Sequence, residues 1–267
     1  MSHLYHGLKK RPPASRLSGL AGACIALLAT AVIAGAAEEA KQPPPKWDTT
    51  LTLGATLTRG NSKTFLGSGL INTKRKWADD EALLGASAGY GETTITSGGN
   101  KVDKVTDSYI KGFGQWNHLF TPRAYGGLRV SGDHDDIASL GYRATVGPLL
   151  GYYFVKQTNA FLAGEIGPSF VREKFFHEHV HNYVGLRLGE RGERKFTSGS
   201  KIWESVEWIP KVKDMQDYLV TAETGVSAPM SKSLSLSLVL QDSYKSVPAI
   251  GKLKNDLKLI AGITYTF

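Results

Sequence analysis

Cysteine is almost missing: of 267 residues only Cys24 is one, and it lies in an apolar leader. The chain beyond the leader can have neither a disulfide framework nor a cysteine metal centre. Such a chain must be held by its own backbone pairing and packing. Helical periodicity is also lacking outside the leader, which excludes helix bundles and mixed α/β folds. A strong charge of one sign is lacking too. The formal net charge is +8, but without the four leader cations there are 28 Lys plus Arg against 24 Asp plus Glu, or +4. With no clustered basic residues, nothing calls for a nucleic-acid partner.

The leader itself is distinctive. Lys9, Lys10, Arg11 and Arg16 form a basic start, Leu17 to Gly35 an apolar run, and Ala34, Gly35 and Ala36 a small-residue exit. This predicts a secretory signal peptide over 1–36, cleaved before Ala37. The run approaches the ~20 residues of a spanning helix, but Glu38 and Glu39 do not resemble a basic stop-transfer flank. The "LAGA" before Cys24 fits a lipoprotein signal poorly. Residues 37–46, with Pro43, Pro44 and Pro45, read as a stiff periplasmic linker. One domain is expected over 47–267.

That domain alternates with period two. "TLTLGATLT" (50–58) sets Leu51, Leu53, Ala55 and Leu57 against threonines and a glycine, and "SLSLSLVLQ" (233–241) sets four leucines against Ser235, Ser237, Val239 and Gln241. Such runs are strands with one apolar and one polar face. They recur near 48–58, 63–76, 81–92, 105–119, 124–133, 139–154, 160–172, 181–191, 200–209, 217–228, 233–243 and 255–267. This predicts an all-β fold, a closed antiparallel transmembrane β-barrel of about twelve strands. Short connections ("FTPR", "VKQTN", "PMSKS") alternate with longer ones ("TTITSGGNKVDK", "REKFFHEHVHN", "SYKSVPAIGKLKN"), as expected of a barrel with turns at one end and loops at the other. "RGNS" is tight where a loop is expected. Phe120, Tyr125, Tyr152, Tyr153, Phe154 and Phe161 flank the short turns, which predicts an aromatic girdle. Surface polarity separates the alternatives. In a soluble periplasmic sandwich or binding barrel the polar faces meet solvent, whereas in a membrane barrel they line the lumen.

The polar faces carry Lys111, Arg129, Arg143, Glu165, Arg187, Glu223 and Lys258, the lumen-lining candidates. Arginines near Glu165 and Glu223 are placed to pair across the interior and narrow it. At the end of the chain Ile263, Tyr265 and Phe267 share one side of a strand. Gly262, Tyr265 and Phe267 occupy the glycine and terminal aromatic positions of a signal read by a barrel-assembly machine, with Ile260 where a polar residue is usual. The expected partners are that machinery and the lipid and lipopolysaccharide of an outer membrane.

Motifs for chemistry are few. "HEHVH" (177–181) matches H-E-x-x-H formally, but that chemistry needs a helix and the context is a loop entering a strand. His177, His179 and His181 share one side of an extended chain and offer a possible metal set against a solvated loop. Lipid-hydrolysing barrels place a histidine just before Ser-Asn-Gly, and neither His118 nor His134 does so. "RGNS" and "SGGN" lack the helix of a phosphate loop and fit turns. No catalytic, cofactor or metal residue is assigned.

Three stretches together resemble the family catalogued as domain of unknown function 481, which includes proteins described as salt-induced outer-membrane proteins. They are "LTRGNSKT" (57–64), "GYRATVGPLLGYYF" (141–154) and "DSYKSVPAIGKLKNDLKLIAGITYTF" (242–267). The resemblance spans about Trp47 to Phe267 and implies an outer-membrane β-barrel, with no catalytic role to carry over. The functional expectation is a non-enzymatic small-solute pore or structural envelope protein linked to salt or osmotic stress. A lipid-modifying enzyme is the competing class.

Overall fold

A computed structural model describes residues 46–267 apart from 59–62 and 98–99. The expected signal peptide and nearly all of the expected linker, as well as "RGNS" and the middle of "SGGN", lie outside the described residues.

Twelve strands form a closed antiparallel ring in which each pairs with its neighbour in sequence and the last pairs with the first. They are β1 (Asp48–Thr58), β2 (Lys63–Lys76), β3 (Asp80–Ser97), β4 (Asn100–Leu119), β5 (Ala124–Asp135), β6 (Leu140–Lys156), β7 (Ala160–Phe175), β8 (Val180–Lys195), β9 (Lys201–Lys211), β10 (Asp214–Pro229), β11 (Leu234–Lys245) and β12 (Asn255–Thr266). The shortest has 11 residues, enough for a tilted strand to cross a hydrocarbon core. The turns following β2, β4, β6, β8 and β10 mark what we call the lower end, and the connection after β11 lies at the upper end.

Closure decides which face is wet. Leu53, Ile110, Leu150, Leu236 and Leu259 point outward and are exposed, while Thr52, Gln115, Arg143, Glu165 and Thr264 point inward and are buried. A soluble barrel would have the opposite distribution. An apolar outer wall around a polar interior is the arrangement that lipid requires. Glu190 and Glu204 are exceptions, taking outward positions on β8 and β9 by their register with Val206 and Gly192.

The β1–β12 seam runs from Thr50 opposite Thr266 to Gly54 opposite Gly262. On its inner side Thr52, Thr264 and Ser237 form a hydroxyl ladder with spacings of 2.7 and 2.6 Å. A side chain at Gly262 would meet the Leu53 carbonyl oxygen at 2.3 Å, so the strands approach this closely only with glycine there. Ile260 faces inward and packs with Leu70 and Val239 beside Trp203. Ile263, Tyr265 and Phe267 face outward, the two rings meeting edge to face at 4.8 Å.

Two expectations need correction. Of the expected girdle, Phe120, Tyr152 and Phe154 are exposed outside, but Tyr125 and Tyr153 are buried. Both belong to the inward parity of their strands and pack against Leu149, Ala163 and Phe161 in the lower interior. The "TTITSGGNKVDK" and "REKFFHEHVHN" segments are mostly strand, because β3 continues to Ser97 and β4 begins at Asn100, while β7 continues to Phe175 and β8 begins at Val180. Polar residues extend the ladder there just as apolar ones do lower down. The long connection that remains among the described residues is 246–254, between β11 and β12.

The barrel interior as the candidate functional site

All seven lumen candidates take inward positions, but they fall into separate groups. Glu165 on β7 is the centre of the lower group. Its carboxylate accepts hydrogen bonds from Gln115 at 2.7 Å, Tyr125 at 2.8 Å, Arg187 at 3.0 Å and Arg191 at 3.2 Å. Arg187 also donates to Glu207 at 2.7 Å, and Arg129, from β5, reaches Glu207 at 3.3 Å and Gln115 at 3.1 Å. Arg191 donates to Tyr153 at 3.0 Å, and Tyr153 donates to Glu81 at 2.5 Å. The connected network runs from β3 to β9 and crosses the lower lumen. Buried charges are tolerated because each carboxylate meets several donors and each guanidinium's donors are used by nearby acceptors.

Arg143 belongs to an upper group. It donates to Glu173 at 2.8 Å, both side chains being nearly fully buried, and Lys245 from the far wall reaches Glu173 at 3.4 Å and Asp217 at 3.1 Å. Asp217 also pairs with Lys211. Lys258 crosses from β12 to Asp107 on β4 at 2.7 Å and lies 3.5 Å above the Tyr109 ring. Glu223 has neutral donors, the Trp203 indole and the Gln241 amide, each at 2.9 Å. Lys111 lies 5.5 Å from the Tyr109 ring. Arg187 and Glu165 are thus brought together, whereas Glu223, Lys111 and Lys258 stand apart from them.

Sequence reading missed Glu81, Arg191, Glu173, Glu207 and Lys245, which complete both groups. Glu81 and Lys245 lie at strand ends, where a charge normally meets water. Arg191 sits in "GERGERK", whose charge density hides the alternation. Inward parity was the one available clue, and only for residues whose strand bounds were right.

Between the two groups is a cavity of about 520 Å³, lined by Lys111, Ser131, Asp133, Arg143, Glu223 and Gln241 among others.

The described histidines do not assemble a centre. His177 has a positive φ of 63° in the β7–β8 turn and His181 already belongs to β8, so H-E-x-x-H is not helical. Among the described residues no three His, Cys, Asp or Glu are placed to hold a metal ion. On the outer wall Ser108 donates to Asp136 at 2.5 Å, and His134 lies 3.2 Å from the same Asp136. The order is wrong for nucleophile activation, since the carboxylate stands where the histidine base should be.

A closed antiparallel ring with a lipid-compatible wall and a charged, bridged interior defines a transmembrane β-barrel protein. The chain belongs to the family described as protein of unknown function, DUF481, whose model matches residues 51–267. No curated protein matches the sequence. Among solved structures it is similar to the β domain of the Bordetella autotransporter BrkA (14% identity, 84% of this chain and 98% of that one, TM-score 0.37). It is also similar to the KdgM porin (10% identity, 83% and 99%, TM-score 0.42) and the NanC porin (6% identity, 82% and 100%, TM-score 0.48). Likenesses this remote bring no function with them.

Proposed function

We propose that the chain is a non-enzymatic integral protein of the outer membrane of a diderm bacterium, with the lower end toward the periplasm, serving as a structural envelope barrel rather than an open pore. The observation that supports this is the Glu165 network, which bridges the lower lumen from β3 to β9. An open conduit would need this space filled by water. The cavity of about 520 Å³ above it favours a second reading, a small-solute pore that conducts only when the network rearranges.

Further parts of the proposal rest on sequence. The leader implies export with a cleaved signal peptide, and Gly262, Tyr265 and Phe267 supply the signal read by the assembly machinery. The family resemblance motivates a role in salt or osmotic stress, and lipid and lipopolysaccharide are the expected surroundings.

Two measurements test the reading. Protein recovered from the outer-membrane fraction should change electrophoretic mobility on boiling in detergent, and refolded protein in planar bilayers should show no steady conductance. A soluble periplasmic product with no mobility shift would overturn the membrane assignment. Steady ohmic channels would replace the structural barrel by the pore.

A further inference from the structure

The β11–β12 connection does not stay over its own strands. Ala249 is buried against Leu140 and Phe175, with Ala138 packed beside them. Those residues lie at the upper ends of β6 and β7 and in the β5–β6 turn, and the β5–β6 hairpin is diametrically opposite β11–β12 in the ring. Lys252 is a second tether on that side, its ammonium donating to the Ile137 carbonyl at 2.6 Å. Segment 246–254 is therefore a strap across the mouth. Its bend is set locally, with Lys252 N–H donating to the Ala249 carbonyl at 3.0 Å around Gly251 at φ 79°, a conformation that favours glycine. Ile250, next to the seated Ala249, is 94% exposed, so the contact is made by one small side chain rather than by the whole segment.

The cavity of about 520 Å³ lies directly beneath, with Ala249 and Lys252 in its roof and Arg129, Glu165 and Arg187 in its floor. This volume falls in the range of small-molecule sites. Its wall offers both charge signs, including Lys111, which rests on a ring, and Glu223, which is held by neutral donors.

We infer that this cavity is a chamber for a small charged hydrophilic solute and that the 246–254 strap is its lid, seated by Ala249 in the Leu140–Phe175 socket and by Lys252 on Ile137. A seat made by one methyl group and one ammonium–carbonyl bond is weak enough to release, while the paired ends of β11 and β12 act as hinges. The inference holds whether or not the floor ever conducts, because it concerns entry from the mouth alone.

The absence of cysteine beyond the leader makes the test direct. In refolded full chain with Cys24→Ser, Ser131→Cys places a thiol on the chamber wall, Ala249→Cys one in the socket and Ile250→Cys one on the open face. Modification by a cationic and an anionic thiosulfonate is timed for each. Ile250→Cys should react fast in every background. Ala249→Cys and Ser131→Cys should react at least about tenfold more slowly, and both should speed up when Phe175→Ala empties the socket. Lys252→Ala, which alters only the second tether, should also speed Ser131→Cys and covers the case in which Phe175→Ala does not regain the heat-modifiable form. An Ala249→Cys thiol as reactive as Ile250→Cys would show that the strap is not seated. A Ser131→Cys rate indifferent to strap and socket changes, or no reaction at all with either reagent when the strap is released, would overturn the lid or the chamber respectively.

Discussion

Lys74 on β2 and Glu193 on β8 stand 3.5 Å apart although they rise from diametrically opposite walls of the ring. Two long side chains thus span the lower part of the lumen. Neither is fully buried, so water weakens the attraction. The pair marks how narrow the lumen is more than it stabilises the fold. A double-mutant cycle with Lys74→Ala and Glu193→Ala should give a coupling below about 1 kcal/mol, read from urea midpoints in detergent. A coupling of several kcal/mol would mean the pair is shielded from solvent.

Glu165 is the contrasting case. Glu165→Ala leaves Arg187 and Arg191 buried with one carboxylate fewer, and breaking such a pair costs about 3 kcal/mol or more. The unfolding midpoint should fall accordingly. In planar bilayers the same variant should show intermittent conductance, because the bridge across the lower lumen has lost its centre. A silent, fully stable variant would show that Glu165 closes nothing.

The outer wall carries its own prediction. Leu238 faces outward near the middle of β11 and Ser205 faces inward from β9. Leu238→Arg should lower stability in lipid vesicles by about 2–4 kcal/mol, the range for a cation on the lipid face near the midplane. Ser205→Arg should refold nearly as the parent does. Equal tolerance of both would point to a barrel in water.

Packing inside the ring depends on small residues beneath aromatic ones. A side chain at Gly151 would meet the Tyr125 ring at 2.2 Å. Tyr125 cannot yield, since its ring lies 5.1 Å from Tyr153 and its hydroxyl holds Glu165. Gly151→Leu should therefore destabilise by about 1–3 kcal/mol, the usual range for overpacking. Adding Tyr125→Ala should recover part of that loss, because the two sites share one volume. Thermal unfolding followed by loss of the heat-modifiable band would show it.

Legibility was uneven, and the reason is physical. Alternation placed all of Lys111, Arg129, Arg143, Glu165, Arg187, Glu223 and Lys258 on the inward side, since parity along a strand is local information. It also explains the girdle error. Tyr125 and Tyr153 sit beside short turns like Phe120 and Phe154, but one residue of parity sends them inward. Partners were far less legible. Arg143 meets Glu173 rather than Glu165 or Glu223, a choice made by how far the strands are staggered around the ring.

The sequence by itself determined an all-β chain of about twelve strands, the alternation that puts the seven charged candidates on one face, and the absence of cysteine chemistry beyond the leader, because composition and a two-residue period do not depend on distant contacts. Tertiary structure alone decided that Lys258 meets Asp107 across 151 residues, that Glu165 gathers Arg187 and Arg191, and that Ala249 lies against the opposite wall. Those meetings exist only once the ring closes, since closure and strand stagger set which heights of which walls face each other.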